Sequence, residues 1–527
     1  WSAGRGVDIW ELFQACIAGD LSAVQELVQR DPSLVRAQYA YRTPLYFAVR
    51  EGRTDVVAWL LEHGADPLTL VVGDSLLQIC RDRGHADVEK VLSNHLVNRL
   101  NASPKGEAVA AAIRDRDLAT VRRLLDADPA LLGTGDGRSN QPIHWGAMTR
   151  QIDVVDELLD RGADINAKRY DSAGPVQLVS GDYYFRGYRD VPKETPTSPR
   201  QMFDHLRARG AEVDFNTACA IGDMHRVREL IDRDPSVVNR LAEYSTYFVA
   251  SAPLDNAAAR GHIEIVRLLL ERGADPNLPE EGLAPNGHAL YSAAANKHHA
   301  IARLLLEHGA NPNQAVESSA DALSRAISND DQPMIELLCS YGAARSPELL
   351  GYDGDLQVAA AMFAANPSLA DDYDALCNAA WEGNEAFVRL LLRYQPELPK
   401  RVSWPSWIPC GSTKEINDLL FEHGMSPDQP DWLMVTPLHR FASIGDVDKA
   451  AYFIDRGANL HARDEEICST PLGWAAKHGQ LGMVKLLLER GSKTNLPDDP
   501  PWATSLAWAE RRGHTEVAAV LRQHGAR

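Results

Sequence analysis

The stretch TPLGWAAKHGQLGMVKLLLERGSKTN, residues 470–495, contains in one run the features that decide the fold. Thr470 is a good N-cap residue, and the proline after it fits the first helical turn, where the amide has no partner. The alanines allow close helix packing, and the later apolar residues cover one helical face. Gly491 suits the left-handed conformation that ends many helices. The stretch therefore predicts two short helices joined by a turn.

This pattern recurs along most of the chain. Its glycine ending is found at Gly424, Gly457, Gly491 and Gly525, with steps of 33, 34 and 34 residues. A second type of ending, in which Asp-Pro or Asn-Pro precedes an apolar residue, begins at residues 31, 128, 234 and 366. Copies of the start, with Thr-Pro-Leu or a close variant, begin at residues 43, 141, 252, 436 and 470. Self-similarity at a fixed period of this length predicts a repeat protein of about sixteen units.

These motifs resemble the ankyrin repeat, whose signature runs from Thr-Pro-Leu-His through two alanines and Gly-His to Gly-Ala-Asp-x-Asn. The resemblance implies an all-α solenoid of about sixteen helix-turn-helix units with short hairpin fingers, stacked as a curved superhelix. It also implies one continuous array over residues 1–527. The Asp-Pro units are similar to those of bacterial multi-repeat ankyrin proteins, which favours a bacterial origin.

Composition narrows the classes of partner and compartment. The formal net charge is −19, with 54 basic and 73 acidic residues, which disfavours nucleic acid because phosphate binding needs a positive face. No apolar run reaches the roughly 18 residues that a membrane span needs. The seven cysteines form no CxxC pair, which favours a reducing compartment and predicts a cytoplasmic protein. Because the chain begins at Trp1, the sequence does not exclude secretion. The terminal repeats have polar outer residues, which predicts a monomer.

Two segments interrupt the period. Residues 180–200 form an aromatic insertion, and residues 399–412 form an insertion rich in tryptophan and proline. Insertions in repeat proteins map to loops, often on the binding face. Each segment has two interpretations: its aromatic residues cover a weak repeat interface or fill the place of a missing helix, or they contact a ligand or partner. The candidate partner contacts are Tyr183, Tyr184, Phe185, Tyr188, Trp404 and Trp407.

The sequence indicates no catalytic residue, metal site or cofactor. Nine of the seventeen histidines occupy framework positions, such as His144 and His439 of the Thr-Pro-Leu-His element, where the ring can bond a cap or nearby backbone. Adjacent His298 and His299 do not have the i, i+4 spacing of a helical zinc site. The run from Tyr352 to Asp355 resembles part of a calcium loop but lacks its further oxygens.

Two functions follow from these observations. The first is a protein-binding scaffold or adaptor that uses the concave ankyrin surface to bind a basic or amphipathic protein, attracted by the acidic chain. The alternative is a small-molecule-binding protein or enzyme whose pocket is enclosed by the concave face and the two aromatic insertions. Convergence of the insertions with several His, Asp or Glu side chains on one cavity would favour the alternative.

Overall fold

The computed structural model describes residues 6–39, 41–71, 73–181, 195–244, 246, 248–250, 252–278, 288–314, 321–401 and 410–527. The chain separates into two compact units, Trp1–Ala344 (unit 1) and Arg345–Arg527 (unit 2). Both units are built from pairs of short α-helices, which confirms the predicted all-α repeat architecture. The continuity of one array over residues 1–527 stays a prediction.

The described residues of unit 1 form ten repeats, and in nine of them a first α-helix is followed by a second α-helix. In the sixth repeat the 3₁₀ turn Pro175–Leu178 takes the place of the first helix. The helices of unit 1 are α1 (Gly6–Ala18), α2 (Leu21–Arg30), α3 (Pro44–Arg50), α4 (Thr54–Glu62), α5 (Leu76–Arg83), α6 (Ala86–Leu100), α7 (Glu107–Arg114), α8 (Leu118–Ala127), α9 (Pro142–Met148), α10 (Ile152–Asp160), α11 (Pro199–Ala208), α12 (Phe215–Ile221), α13 (Met224–Arg233), α14 (Pro253–Ala259), α15 (Ile263–Glu271), α16 (Ala289–Ala295), α17 (His299–Glu307), α18 (Ala322–Ser328) and α19 (Gln332–Ser340).

Unit 2 contains six repeats. In its third repeat, the described residues include only the second helix, which is α24. The helices of unit 2 are α20 (Pro347–Asp353), α21 (Leu356–Ala365), α22 (Tyr373–Glu382), α23 (Glu385–Tyr394), α24 (Lys414–Glu422), α25 (Pro437–Ile444), α26 (Val447–Ile454), α27 (Pro471–Lys477), α28 (Leu481–Glu489), α29 (Ser505–Arg511) and α30 (Thr515–Gln523). The two units together have the sixteen repeats that the sequence predicts.

The helix ends follow the predicted chemistry. The Thr43 hydroxyl accepts the Tyr46 amide at 3.2 Å and so caps α3. Gly273 ends α15 with a φ of +84°, a left-handed conformation that only glycine adopts without strain. At the second type of ending, the Asp31 carboxylate accepts the Ser33 amide at 3.0 Å and starts a 3₁₀ turn, Pro32–Arg36. Both predicted endings are therefore confirmed as distinct caps.

The last carbonyls of the first helices are capped by the next repeat. His85 bonds the Arg50 carbonyl oxygen through Nε2 at 3.1 Å, and the Gln480 amide donates to the Ser443 carbonyl at 3.0 Å. Each capping residue stands directly before the second helix of its own repeat. Because helix-end carbonyls have no partner within the helix, this contact both satisfies them and fixes neighbouring repeats to each other.

The turns between repeats, called fingers here, contain little strand among the described residues. One two-stranded hairpin is present, in which β1 (Leu70–Val71) pairs antiparallel with β2 (Asp74–Ser75). The hydrophobic core lies between the two helix layers of each unit. First helices of neighbouring repeats approach closely: in α20, a Cβ on Gly351 would lie 2.4 Å from the Ala375 carbonyl oxygen of α22. Within the described residues, no helix is both long and apolar enough to cross a lipid bilayer.

Candidate interaction surface

The six aromatic residues that the sequence predicts as partner contacts all lie outside the described part of the chain, and their role stays a prediction. They are Tyr183, Tyr184, Phe185, Tyr188, Trp404 and Trp407. The described flanks of both insertions nevertheless contact specific first helices.

The end of the first insertion lies against the ends of two neighbouring first helices, α7 and α9. Arg150 Nε donates to the Thr197 carbonyl at 2.9 Å, and an Arg116 guanidinium nitrogen donates to the Thr195 hydroxyl at 3.2 Å. Both arginines occupy the left-handed position after a first helix, with φ values of 52° and 58°. Burial, and then Arg116, lower the pKa of Arg150. The insertion is therefore anchored on the first-helix side of the repeats.

The second insertion is anchored on α22. The Ser412 amide donates to the Ala380 carbonyl at 2.9 Å, and Arg401 forms an ion pair with Asp371, just before α22. Both flanks of the insertion therefore contact the preceding repeat, at the place in the sequence where a first helix is expected. This arrangement is compatible with both interpretations of residues 399–412.

Two framework histidines, His144 and His439, are buried structural groups. The Gln141 amide donates to His144 Nδ1 at 3.0 Å, so Nε2 carries the proton and donates to the Ala167 carbonyl at 2.9 Å. His439 bonds Thr436 in the same way, at 3.1 Å from its amide. Burial lowers the pKa of His144 and of His439 to about 4. The prediction that these rings bond the cap and nearby backbone is confirmed.

The adjacent histidines at the start of α17, His298 and His299, contact different partners. The His299 ring bonds the Asp331 carboxylate of the next repeat at 2.8 Å. The His298 ring lies against Gly261 of the preceding repeat, where a Cβ would meet it at 3.0 Å. Among the residues that the structure describes, no group of three or more His, Cys, Asp or Glu side chains is arranged to hold a metal ion.

Three tryptophans at one repeat position pack between repeats. Trp145 Nε1 donates to Asp136 at 2.7 Å, and Trp474 Nε1 donates to Asp464 at 2.9 Å. Trp145, Trp474 and Trp508 are all buried. Their position therefore stabilises the finger that precedes each first helix and offers no surface for a ligand.

The acidic run that resembles part of a calcium loop is an ion-pair site. Arg345 donates to Asp353 at 2.8 Å and to Asp355 at 2.5 Å. Asp355 also caps α21, since it accepts the Val358 amide at 3.1 Å. The side chains of this run therefore hold α20 and α21 together.

An open groove of about 650 Å³ lies on unit 1 beside α11 and α13. Charged groups dominate its walls, and they pair with each other: Arg207 with Asp223 at 3.0 Å, and Arg226 with Glu229 at 2.9 Å. The residues that line it are Arg207, Ala211, Glu212, Val213, Asp223, His225, Arg226, Glu229 and Arg233. A groove with these mutually paired walls does not resemble an enclosed, mostly apolar ligand pocket.

The ends of the first helices in unit 2 expose large apolar side chains. Tyr352 at the end of α20 is 52% exposed, Trp381 at the end of α22 is 59% exposed, and Ile444 at the end of α25 is 69% exposed. Among the described residues of unit 2 these are the three most exposed large apolar side chains. Exposed groups of this kind commonly mark interaction sites when they cluster on one face.

Acidic side chains accompany two of these rings on the packed pair α20 and α22. Glu348 lies one turn before Tyr352, and Asp374 and Glu382 lie on the turns of α22 that share a face with Trp381. Asp374 and Glu382 are exposed, and Glu348 is partly exposed. We call this surface, which consists of Glu348, Tyr352, Asp374, Asn378, Trp381 and Glu382, the acidic aromatic face.

Comparison with protein families agrees with this geometry. A model described as ankyrin repeats (3 copies) matches residues 12–71, 254–348, 408–498 and 438–527, which together make up more than half of the chain. The chain belongs to the ankyrin-repeat family. A model of the single ankyrin repeat also matches residues 140–170. Ankyrin repeats indicate a protein-interaction domain.

Similar proteins share the repeats over part of their length. The chain is 35% identical over 199 residues to the E3 ubiquitin-protein ligase XBAT32 of Arabidopsis thaliana, covering 34% of this chain and 38% of that protein. It is 32% identical over 167 residues to the palmitoyltransferase AKR1 of Lachancea kluyveri, covering 30% and 22%. It is 28% identical over 160 residues to the putative ankyrin repeat protein FPV244 of Fowlpox virus, covering 30% and 23%. The chain spans less than half the length of these relatives. These relatives are not bacterial proteins, and the bacterial origin of the chain stays a prediction.

The sequence did not single out the rings of the acidic aromatic face as a surface. Tyr352 and Trp381 each stand two residues before the glycine that ends a first ankyrin helix, Gly354 and Gly383. Alignment of the repeats on the glycine that ends each first helix would have shown two aromatic residues at the same position. The repeat that contains Tyr352 lacks the Thr-Pro-Leu-His start, and this makes its alignment with the other repeats hard to recognise.

Proposed function

We propose that this chain is a protein-binding scaffold whose partner docks on the face formed by the first helices and fingers, and that the partner is basic or amphipathic. The observation that carries the proposal is the exposure of Tyr352, Trp381 and Ile444 at the ends of three first helices of unit 2. Burying such side chains against a partner is favourable by roughly 25 cal/mol for each Å² of apolar surface removed from water.

The charge of the chain supports the choice of partner. A net charge of −19 attracts a basic protein over long distances and repels other acidic proteins. Membership of the ankyrin-repeat family supports a protein ligand. No observation among the described residues favours the alternative of an enclosed small-molecule or catalytic pocket.

Site-specific photo-crosslinking tests the proposal. A photoreactive phenylalanine analogue is placed on first helices, at Ile444 and at Asn296, and on second helices, at Lys485 and at Glu264, as matched exposed controls. We expect one protein, identified by mass spectrometry, to be crosslinked from the first-helix positions and not from the controls. Crosslinks from the second helices alone, or a retained small molecule without a protein, would overturn the proposal.

The same experiment extends to the insertions. The six aromatic residues predicted in residues 180–200 and 399–412 contact the same partner under this proposal. A variant with Tyr183→Ala, Tyr184→Ala, Trp404→Ala and Trp407→Ala is expected to capture less of the identified protein from lysate than the wild type. Equal capture by both would remove the insertions from the binding surface and leave the first-helix face as the site.

A further inference from the structure

We propose that the acidic aromatic face of unit 2 binds a lysine- or arginine-bearing segment of the partner protein. This inference rests on the proposed function, since it assigns one part of the first-helix face and the chemistry of the group that docks there. The docking site consists of the six residues of the acidic aromatic face, on α20 and α22, and the rings of Tyr352 and Trp381 lie at the centre of this site.

The two helices that present the face belong to neighbouring repeats, and the second of these repeats bonds α20 at two places. Near the start of α20, the Asn378 amide donates to the Glu348 carbonyl at 3.4 Å. At the end of α20, the Asn384 amide donates to the Gly351 carbonyl at 2.8 Å and to the Tyr352 carbonyl at 3.1 Å. A rigid base of this kind lowers the conformational entropy that a partner must overcome on binding.

Exposed aromatic rings next to carboxylates recognise cations. A guanidinium or ammonium group is attracted to the face of a tryptophan or tyrosine ring, because the ring quadrupole makes that face negative. The chain itself contains this contact in other repeats: the Arg456 guanidinium lies 3.5 Å from the Tyr452 ring centroid, and that of Arg114 lies 4.8 Å from the Trp145 centroid. A partner's arginine or lysine can make the same contact with Trp381, while Glu382 provides a carboxylate beside it.

The local charge balance favours a cationic ligand over a neutral one. Residues 345–394 contain eight acidic side chains and only three basic ones, Arg345, Arg389 and Arg393. Arg345 is paired with Asp353 and Asp355, and Arg389 with Glu385. Partial burial, and then the neighbouring Asp372, raise the pKa of Asp374. A cation bound beside Asp374 would offset the repulsion between its carboxylate and that of Asp372.

The same charges argue against a second copy of this chain as the occupant. Two copies of the acidic aromatic face would bring Glu348, Asp374 and Glu382 against their own equivalents, and like charges that meet across an interface repel each other. A partner with interspersed basic and apolar residues satisfies both the carboxylates and the rings.

Isothermal titration calorimetry on the full chain tests the inference with defined probes. The first probe is a 14-residue peptide that carries lysine and arginine on one helical face and leucine on the other, and the second replaces every basic residue with glutamate. The proteins are the wild type, the Tyr352→Ala, Trp381→Ala double variant and Glu382→Lys. Leu356→Ala and Glu489→Lys are the controls, because they remove another exposed apolar side chain of unit 2, on a second helix, and reverse another exposed charge of that unit.

We expect the basic peptide to bind the wild type and the acidic peptide not to bind. The double variant is expected to weaken binding at least about tenfold, and Glu382→Lys about threefold or more, with a smaller salt dependence. The controls should stay within about twofold of the wild type. No loss in the double variant, or an equal loss in the controls, would contradict the inference. A crosslinked partner whose affinity is insensitive to Tyr352 and Trp381 would leave the proposed function in place and remove only this inference.

Discussion

The side chain of Asn277, in the finger of one repeat, donates its amide to the Gly309 carbonyl at the end of the next repeat, at 3.0 Å. Its oxygen accepts the Asn311 amide from that same repeat at 2.6 Å. One asparagine therefore satisfies two backbone groups of its neighbour. Asn239 makes the equivalent bond to the Gly273 carbonyl at 2.8 Å, which shows that the contact is a repeating element of unit 1.

We predict that Asn277→Ala lowers the free energy of unfolding by about 1–2 kcal/mol, because two inter-repeat hydrogen bonds are lost at a partly exposed site. Asn296→Ala is the matched control, since the side-chain amide of Asn296 donates to the Ser292 carbonyl of its own repeat. Urea unfolding and amide hydrogen exchange over residues 299–312 measure the effect. Equal losses from both substitutions would show that the inter-repeat contact adds no stability of its own.

We predict that the same substitution, Trp to Phe, lowers the free energy of unfolding by different amounts at Trp474 and at Trp508. Trp474 Nε1 donates to the buried Asp464 carboxylate, whereas no hydrogen-bond partner of Trp508 Nε1 is found among the described residues. Trp474→Phe leaves a buried acceptor with one bond fewer and is expected to cost about 1–3 kcal/mol beyond the shared loss of ring volume. Trp508→Phe is expected to cost only that shared part. Parallel urea denaturation of the two variants compares them, and equal losses would contradict the prediction.

The sequence predicts the repeat architecture well because each landmark has a local physical cause. A glycine after a helix, such as Gly273, indicates a left-handed backbone conformation. A histidine such as His144 bonds groups within its own repeat or the next finger. These requirements recur with the period of the chain. The glycine endings and the histidine framework therefore could be located from residues alone.

The contacts between repeats are less visible because several residue types perform the same role. The residue that caps the preceding first helix is His85 in one repeat, Gln151 in another and Asn384 in a third. Each of these side chains has an N–H donor at a similar distance from the backbone, so the residue type at this position varies from repeat to repeat. The acidic aromatic face was not predicted for a related reason: exposure of Tyr352 and Trp381 depends on what packs beside them, which the sequence does not state.

The anchor of the first insertion gives a further prediction. Arg150→Ala removes the bond to the Thr197 carbonyl, and we expect amide hydrogen exchange in residues 195–200 to become at least about tenfold faster, in line with the loss of about 1–2 kcal/mol of local stability. Arg122→Ala is the control, because Arg122 pairs with Glu157 between second helices of the same unit. Unchanged exchange at residues 195–200 in the Arg150 variant would show that this bond does not hold the segment.

Asp255 of α14 makes the stability of unit 1 depend on pH in a direction opposite to that of most carboxylates. Burial raises its pKa to about 6, against the smaller opposing effect of a hydrogen bond from Ser292. Because the pKa in the folded state is higher than in the unfolded state, the folded state binds the proton more tightly. The contribution of Asp255 to the free energy of unfolding is therefore fully present below about pH 4, and it is lost as the pH rises from about 4 through about 6. Asp255→Asn keeps the shape without the charge, and we expect it to raise the free energy of unfolding at pH 8 on the order of 2 kcal/mol but to change it little at pH 3.5. Urea unfolding of both proteins at the two pH values measures this difference. An equal effect at both values would mean that Asp255 is not a titrating group in this range.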